Sequence, residues 1–498
     1  MSALKKDLPD NIKKIQNDFG DSSDLKIRQL RLGGREPSRK LAVIYLEGLI
    51  DENRLQDFIL QSQQRADHSK MDCDLLERIK NELLAVGEVQ SVVDFPSVYQ
   101  SVVSGNTVIL IEGFMEGVAL SVEGSEGRSV SKPSTETVIR GPQEAFNENL
   151  RTNTALVRQI IRTPDLWMET RQVGKITKTD IAIMYIQGIV NEHALEEVHE
   201  RMDRIDIDAV LESGYIEEMI QDANFSFFPT IDNTERPDVV AASLLEGRIA
   251  IFVNGTPFVL MVPALFAQFL QSPEDYYTRS DFGLIRILRY IAVSISFLAP
   301  SLYIAITTFH QEMLQTTLLI SIAAQREAIP FPALVEALIM EFTFEVLREA
   351  GIRMPRAVGS TISIVGAIVL GEAAVQAGLV SPAMVIIVSI TAIAGFVYPS
   401  IAMGFPFRVL RFALMGLAAS FGLFGIFIGL MMLVLHLCSL RSFGVPYMSP
   451  MAPMNAAGMK DSLFRFPLWS LHTRPRLISR RNVVRERSSN SVKPKPRP

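Results

Sequence analysis

The sequence predicts an α/β cytoplasmic region of two related, duplicated subdomains, followed by an all-α polytopic membrane domain. Two observations predict this fold class. Charged and apolar residues alternate up to about Asp281, whereas long apolar runs dominate from there to about Arg441. In addition, two segments of the first half recur later in the same order. Recurrence of this kind indicates repeated structural units.

The composition excludes some classes of protein. Hydrophobic residues make up 48% of the 498 residues and charged residues 21%. The net charge of −5 gives no basic footprint for a nucleic acid. Two cysteines, Cys73 and Cys438, give neither a disulfide framework nor a metal-ligand spacing. Residues 1–20 are charged and lack the apolar core of a signal peptide, so we expect the first half to stay in the cytoplasm.

The duplication has two separate matches. Four residues recur at one constant spacing, namely Ala42, Tyr45, Gly48 and Glu52 as Ala182, Tyr185, Gly188 and Glu192. Further on, Gly105–Gly113 matches Gly247–Gly255 in the same way. Each copy therefore has the same predicted order of elements.

Each unit begins with a buried β-strand, predicted at Leu41–Leu49 and at Ile181–Ile189, because short β-branched runs are typical of such strands. Helices are predicted to follow over Glu52–Ser62 and Met71–Val86 in the first unit, and over Glu192–Ile205 and Asp208–Asp222 in the second. Another helix then precedes a hairpin, and Asn254-Gly255 between two apolar runs is a strong hairpin signal.

These elements predict six regions. They are a flexible charged segment (1–39), an α/β subdomain (40–140), a helical linker (141–168), a second α/β subdomain (169–280), a transmembrane helical domain (281–440) and a basic, partly disordered tail (441–498).

The second half contains four apolar runs that are long enough to cross a bilayer, which takes about 20 residues. They are Ile291–Phe309, Ala357–Gly378, Val380–Met403 and Phe412–Leu437. This count does not decide on which side of the membrane the basic tail lies. We expect the tail on the cytoplasmic side, because positively charged segments are retained there.

The stretch Thr316–Gly351 is ambiguous because an apolar helical face lies beside a row of charges, Glu341, Glu345 and Arg348. One interpretation is a charged vestibule that attracts ions. Glu372 is a further candidate member of this vestibule. The other is a helix that lies in the membrane interface with a solvated charged face, and we favour it.

A face of small residues marks the helix predicted at Ala357–Gly378. It consists of Ser363, Ala367, Gly371, Ala374 and Gly378. Small faces allow helices to pack closely, and they can also line a narrow pore. Both interpretations stay open, and these five residues are the candidate pore-facing set.

Several segments resemble the A subunit of the GerA-type spore germinant receptors. They include the linker Arg140–Arg158, Thr234-Glu-Arg-Pro-Asp238, Asn254-Gly-Thr-Pro-Phe258, Ser272-Pro-Glu-Asp-Tyr-Tyr277 and Leu347–Pro355. The resemblance covers roughly Leu41 to Leu440. It implies a multi-pass protein of the spore inner membrane that works with a transporter-like B subunit and a C-subunit lipoprotein. It also implies self-assembly into a homo-oligomeric conduit for monovalent cations, which opens after a nutrient binds.

From the residue patterns and the family resemblance together, we expect a ligand-gated oligomeric cation channel in a lipid bilayer. We expect the protein to bind no nucleic acid. The soluble subdomains are expected to be tied together by Arg151, Arg158, Glu235, Arg236 and Asp238. No motif indicates a catalytic, cofactor-binding or metal site, so an enzyme is not expected. Two alternatives stay open, a transporter subunit that moves the nutrient and a scaffold that conducts nothing.

Overall fold

The structure is a computed structural model. It describes residues 3–32, 39–51, 88–121, 132–278, 283–353 and 369–467, and parts of the tail up to residue 485. The predicted helices Glu52–Ser62 and Met71–Val86 lie outside the described residues.

The first unit is built on a five-stranded antiparallel sheet with neighbouring strands in the order β1-β2-β4-β5-β3. Its elements are α1 (Leu8–Asp18), β1 (Leu25–Leu32), β2 (Arg39–Leu46), β3 (Val89–Val92), α2 (Phe95–Val103), β4 (Thr107–Ile111) and β5 (Gly117–Leu120). Helices α1 and α2 bury their apolar faces against one side of this sheet.

The second unit repeats this sheet with the order β6-β7-β9-β10-β8. Its elements, with the helix that precedes it, are α3 (Leu150–Ile160), β6 (Leu166–Val173), β7 (Thr179–Ile186), α4 (Glu192–Asp203), α5 (Ser213–Ile220), β8 (Asp232–Thr234), α6 (Pro237–Leu245), β9 (Ile249–Val253) and β10 (Val259–Val262). Both faces of its sheet are covered, one by α4 and α5 and the other by α3 and α6.

A recurring glycine follows the second strand of each sheet. Gly48 and Gly188 have φ angles of +84° and +79°. Glycine adopts this left-handed region without the steric cost that a side chain brings. At Gly48 a Cβ would also lie 3.1 Å from the Cβ of Ala155 on α3. The repeated glycine therefore comes from a repeated turn.

The expectation of a flexible segment over residues 1–39 is wrong for the residues described there. Helix α1 buries Leu8, Ile12 and Ile15 in the core of the first unit. Strand β1 pairs with β2 along its length, from Leu25 opposite Leu46 to Leu32 opposite Arg39. The apolar residues of α1 are spaced to form one helical face. Because many charged residues lie between them, the mean hydropathy of the segment does not show this face.

The predicted helical linker over residues 141–168 is helical only in part. In the structure α3 begins at Leu150, where the side chain of Asn149 caps it by accepting from the backbone N–H groups of Arg151 and Thr152 at 2.9 and 3.3 Å. Such an N-cap satisfies backbone donors that have no partner within the helix. Residues 141–148, which directly precede this cap, are not helical.

The rest of the chain is mostly helical. Its main elements are α7 (Glu274–Tyr277), α8 (Gly283–Thr308), α9 (Thr316–Arg326), α10 (Ala333–Arg353), α11 (Pro382–Gly395), α12 (Ile401–Ser439), the short strands β11 (Arg441–Ser442) and β12 (Val445–Pro446), and α13 (Ala456–Met459). The predicted fold class, two related α/β units followed by a mostly helical region, is confirmed.

Helix α12 is a hairpin of two arms that reverses at Gly422, whose φ and ψ of 61° and −140° are not helical. A Cβ added at Gly429 would lie 2.5 Å from Cδ2 of Leu414. In one straight helix residues that far apart in sequence are separated by about 22 Å. The run Phe412–Leu437, predicted as one span, is therefore wrong as a single crossing, because it contains the reversal.

The two arms begin and end beside the second unit. The ring of Phe228 in that unit lies 5.8 Å from the ring of Phe407 in the first arm and 6.1 Å from the ring of His436 in the second. The turn lies at the opposite end of the bundle, where a Cβ at Gly422 would be 3.0 Å from Cβ of Phe309, just past α8. Each arm is about 25–31 Å long at 1.5 Å per residue.

Helices α10 and α11 run back toward the soluble units, opposite to α8. Helix α11 begins at the end far from the units, where Tyr303 hydroxyl and Ser381 Oγ are 3.5 Å apart. It is followed by Tyr398, which is hydrogen-bonded to Ser296 nearer the start of α8. Helix α10 likewise packs near its start against the Tyr303 turn of α8.

Candidate functional site

A buried ion pair joins the two soluble units. Arg158 on α3 donates from Nε to Oδ2 of Asp24 at 2.8 Å and from Nη2 to Oδ1 at 3.0 Å. The two side chains are only 2% and 4% exposed. Asp24 belongs to the first unit, and α3 packs on the sheet of the second. This places Arg158 across the contact between the units.

The chain around Asp24 also pairs with the second unit through its backbone. Ser23 N donates to the carbonyl oxygen of Met168 on β6 at 2.8 Å, and Met168 N donates to Ser22 Oγ at 2.9 Å. Arg151, another predicted inter-unit residue, lies 2.9 Å from Glu47 of the first unit, but its side chain is 72% exposed. An exposed pair contributes little to stability.

The three remaining candidates for inter-unit contacts lie together at the start of α6. Arg236 is fully buried and pairs with Asp238 at 2.8 Å. It also donates to the carbonyl oxygens of Glu136 and Pro142, at 3.2 and 3.0 Å. Glu235 accepts from Thr135 Oγ1 at 2.9 Å. These side chains therefore hold the connecting chain before α3 onto the second unit.

A titratable carboxyl lies in this connection. Burial, together with the neighbouring carboxylates of Asp232 and Glu235, raises the pKa of Glu136 to about 7. A hydrogen bond from Thr234 Oγ1 to Glu136 Oε2, at 2.6 Å, acts in the opposite direction. The connection thus carries a group whose charge changes near neutral pH.

A second buried charge cluster lies where α7, α8 and the tail meet, and we call it the junction (Asp275, Arg286, Arg289 and Asp461). Oδ2 of Asp275 accepts from Nε of Arg286 at 3.0 Å and from Nη1 of Arg289 at 2.8 Å. Arg286 Nη1 also donates to Oδ1 of Asp461 at 3.1 Å. Arg286 is fully buried and Asp275 is 2% exposed. The junction therefore fixes the start of α8 to both the second unit and the tail.

Burial has the largest effect on the pKa values of the junction groups that lie outside the helix bundle. It raises the pKa of Asp461, against the opposing effect of the Arg286 guanidinium. It also raises the pKa of Tyr276 well above its usual value. The hydroxyl of Tyr276 donates to Asp461 Oδ2 at 3.1 Å.

The tail continues along the second unit directly after α12. Ser442 Oγ donates to the carbonyl oxygen of Thr230 at 2.6 Å and accepts from Ala264 N at 2.9 Å. Phe443 N donates to Asp222 Oδ2 at 2.8 Å. Both ends of the helical region, α8 and the second arm of α12, are therefore held by the same soluble unit.

Helix α10 has its polarity reversed relative to a helix on a water-soluble protein. Its apolar residues Phe342 and Val346 are 69% and 53% exposed, whereas Glu336 and Glu341 are 0% and 2% exposed. The favoured interpretation of an interfacial helix with a solvated charged face is therefore wrong. Ionisable residues in membrane helices usually face the bundle interior, as they do here.

The buried charges of α10 pair with the first arm of α12. Glu341 bonds Arg411, and both are nearly inaccessible. Glu345 accepts from Nη1 of Arg408 at 2.7 Å and lies 3.7 Å from Nη1 of Arg348. We call these five residues the bundle charge cluster. Three of the four vestibule candidates belong to it.

The fourth vestibule candidate, Glu372, lies elsewhere. It is exposed and accepts a hydrogen bond from Gln376 at 3.2 Å. In the part of the chain that the structure describes, it forms no ion pair with the bundle charge cluster. Near the far end of the bundle another carboxylate, Glu336, accepts from Ser381 N and Oγ at 3.1 and 2.9 Å.

The candidate pore-facing set is only partly described. Ser363 and Ala367 lie outside the described residues. Gly371 is buried, and a Cβ there would lie 3.4 Å from Cγ1 of Val385 on α11. Ala374 and Gly378 are partly exposed. Gly371 thus has a close helix neighbour, and a pore role for this face stays a prediction.

Within the described residues, two helical segments are long and apolar enough to cross a membrane by length and composition, Gly283–Thr308 and the two-armed α12, Ile401–Ser439. The shorter apolar helix is Pro382–Gly395.

Sequence reasoning missed Asp275 and Asp461 of the junction. A usable signal was present for the first. Arg286 and Arg289 are one helical turn apart at the start of a predicted span, so a buried carboxylate was needed nearby. For Asp461 there was none, because its contact with α8 depends on the reversal at Gly422.

Comparisons with known proteins agree over nearly the whole chain. A family model described as "Bacillus/Clostridium GerA spore germination protein" matches residues 13–477. The chain is 49% identical over 488 residues to "Spore germination protein KA" of Bacillus subtilis (strain 168), covering 98% of this chain and 89% of that protein. It is 38% identical over 486 residues to "Spore germination protein B1" of the same organism, covering 97% and 100%.

Among solved structures, one match is the crystal structure of the N-terminal domain of the A subunit of the Bacillus megaterium spore germinant receptor GerK3. It is 41% identical, covers 53% of this chain and 98% of that chain, and has a TM-score of 0.44.

Proposed function

Because this chain belongs to the Bacillus/Clostridium GerA spore germination protein family, we propose that it is the A subunit of a nutrient germinant receptor that starts spore germination. The identity of 49% over 98% of the chain is the observation that carries this proposal. The family resemblance stated from the sequence is confirmed. We further propose that the protein is a receptor component and not an enzyme.

The proposed location is the spore inner membrane, which the chain crosses several times. The polarity of α10 supports a membrane environment, because Phe342 and Val346 are exposed whereas the carboxylates of Glu336 and Glu341 are buried. Exposed phenylalanines on the hairpin α12 support it as well, among them Phe421, Phe424 and Phe427, each at least 60% exposed. Contiguous apolar surface of this kind marks a membrane or protein contact.

We propose that the soluble units and the tail are both cytoplasmic. The hairpin α12 returns the chain to the second unit, which puts the tail on the same side as the units. Arg348, Arg408 and the arginines of the junction then lie at the cytoplasmic end of the bundle. This agrees with the excess of positive charge on the cytoplasmic side of membrane proteins.

The proposed mechanism is a gated conduit for monovalent cations, formed by several copies of this chain. A signal from a transporter-like B subunit and a C-subunit lipoprotein would reach the soluble units, which pass it to α8 and α12 through the junction. Since buried pairs are costly to break singly, the junction would move as one body. The signal would shift the population of bundle packings from closed to open.

The proposal is tested in spores of a strain that lacks every other protein of this family. The chain is returned with its operon partners, as wild type, as Asp275→Asn, or as Asp203→Asn, whose side chain is 71% exposed. We expect germination in rich medium with the wild type and the Asp203 variant, and strongly reduced germination with the Asp275 variant. Spores that stay dormant with the wild-type receptor present in their membrane would contradict the proposed function.

A further inference from the structure

The bundle charge cluster has an excess of positive charge. Among the described residues, three guanidinium groups, those of Arg348, Arg408 and Arg411, pair with two carboxylates, those of Glu341 and Glu345. Glu345 is shared between two arginines, and its distance to Arg348 is the longer one, 3.7 Å against 2.7 Å to Arg408. One positive charge is therefore left without a full partner.

The hydrogen bonds of Arg348 show the same deficit. Its Nε and Nη2 atoms are buried and have no hydrogen-bond partner among the described residues. A buried donor without a partner costs free energy, and more so when it is charged. Glu341 Oε1 in the same cluster also has no hydrogen-bond partner among the described residues, but the cluster still holds one guanidinium group more than it holds carboxylates. Arg348 therefore has donors for a further acceptor.

The position of the cluster indicates where that acceptor comes from. Arg408 follows Phe407, which packs on Phe228 of the second unit, so the cluster lies toward the soluble end of the bundle. The side chains of Arg408 and Arg348 are partly accessible, 23% and 16% exposed. Arg348 thus lies close to the level at which phospholipid headgroups meet the bundle.

Aromatic rings lie beside the guanidinium groups of both arginines. The rings of Phe344 and Phe396 lie 5.0 and 5.7 Å from the guanidinium of Arg348, and the ring of Phe405 lies 5.8 Å from that of Arg408. Phe396 is 72% exposed and Phe405 is 50% exposed. Arginine beside exposed aromatic rings suits a molecule that combines an anionic head with apolar chains.

We propose that Arg348 and Arg408 bind the phosphate of an anionic phospholipid from the cytoplasmic leaflet. Guanidinium groups form strong, directional hydrogen bonds with phosphate oxygens. Basic pockets between membrane helices on the cytoplasmic side are suited to such headgroups. The lipid would supply the missing negative charge, and its acyl chains would cover the exposed phenylalanines. This inference rests on the membrane location proposed above.

The test uses the full chain in nanodiscs of phosphatidylcholine alone or of equal parts phosphatidylcholine and phosphatidylglycerol. We expect phosphatidylglycerol to raise the Tm of the wild type by several degrees. Arg348→Gln should lose at least half of that rise, while Arg348→Lys should keep most of it. The matched control is Arg353→Gln on the same helix, because Arg353 is 78% exposed and its partner among the described residues is Glu349. It should keep the whole rise.

A second readout separates lipid binding from a purely structural role of Arg348. Removing the excess charge should leave the Tm of Arg348→Gln in pure phosphatidylcholine equal to that of the wild type or above it. A fall in pure phosphatidylcholine with an undiminished rise in phosphatidylglycerol would show a structural role and overturn the proposal.

Two further outcomes would also overturn it. Equal losses in Arg348→Gln and Arg353→Gln would indicate a general effect of surface charge. An equal rise when inorganic phosphate is added to phosphatidylcholine nanodiscs would indicate a site for a free anion. Wild-type protein that does not enter nanodiscs at all would instead overturn the membrane location, and this inference with it.

Discussion

Replacement of Arg158 by alanine should destabilise the soluble region by separating its two units. The substitution removes both hydrogen bonds to Asp24, at 2.8 and 3.0 Å, and leaves that carboxylate 4% exposed without its partner. Breaking a buried ion pair by removing one partner costs about 3–5 kcal/mol. For a soluble region of this size, 1 kcal/mol lowers the Tm by about 2–4 °C. The expected fall in the Tm of Arg158→Ala is therefore about 6–20 °C.

The fluorescence of Trp167 gives a local assay for this change. Trp167 lies on β6 and its ring packs against Gly20 of the first unit and Tyr185 of the second. With Trp469 replaced by phenylalanine, it is the remaining tryptophan of a chain that has two. Thermal unfolding of the full chain in detergent would thus report the contact between the units.

The matched control is Arg151→Ala on the same helix. Arg151 also pairs with the first unit, at 2.9 Å from Glu47, but its side chain is 72% exposed. Exposed pairs contribute about 0–1 kcal/mol, so its Tm should fall by no more than about 4 °C. Equal melting of the two variants would refute the reasoning. A double variant, Arg158→Met with Asp24→Asn, should recover part of the loss because it removes the unpaired carboxylate.

Three further predictions follow from other parts of the structure. Cysteines at Leu414 and Gly429, in a chain whose native cysteines are replaced, should cross-link with a short reagent on a gel; a straight helix would hold them about 22 Å apart and give no product. Glu136→Gln should reduce the fall in Tm between pH 5.5 and pH 8. The pKa of Glu136 is raised to about 7, so the folded state binds more protons than the unfolded state and loses stability as pH rises from about 4.5 to 7; an unchanged fall would contradict this. Asp275→Ala should lower the amount of protein in membranes on immunoblots, because it leaves two buried arginines unpaired; wild-type amounts would mean that the junction does not stabilise the fold.

Much of the soluble region could be predicted because its signals are local. The recurrence of Gly48 as Gly188 follows from a turn that each unit needs. The hairpins follow from short apolar runs around a glycine, as at Asn254-Gly255. The sequence analysis missed all four outer strands of the two sheets, β1 and β3 in the first and β6 and β8 in the second. Strands β1 and β6 mix charged and apolar side chains, so their content of charge resembles that of a loop, and β3 and β8 have only four and three residues.

The helical region was harder to predict because its order depends on contacts distant in sequence. The reversal at Gly422 lies within a continuous apolar run, and one glycine there gives no turn signal that hydropathy detects. The prediction that the charged face of α10 is solvated was wrong for a similar reason. Helical spacing shows that Glu341 and Glu345 lie beside an apolar face, but only the partners Arg411 and Arg408 decide which face is buried.

The measurement that most directly tests the central proposal is monovalent-cation efflux from vegetative cells that express the chain with its operon partners, with the nutrient added and withheld. We predict efflux that depends on the nutrient and changes in Gly371→Val, since a Cβ at Gly371 would already lie 3.4 Å from Cγ1 of Val385 on α11. No efflux from cells whose membranes contain the assembled complex would contradict a conduit built from this subunit, and would leave it a scaffold.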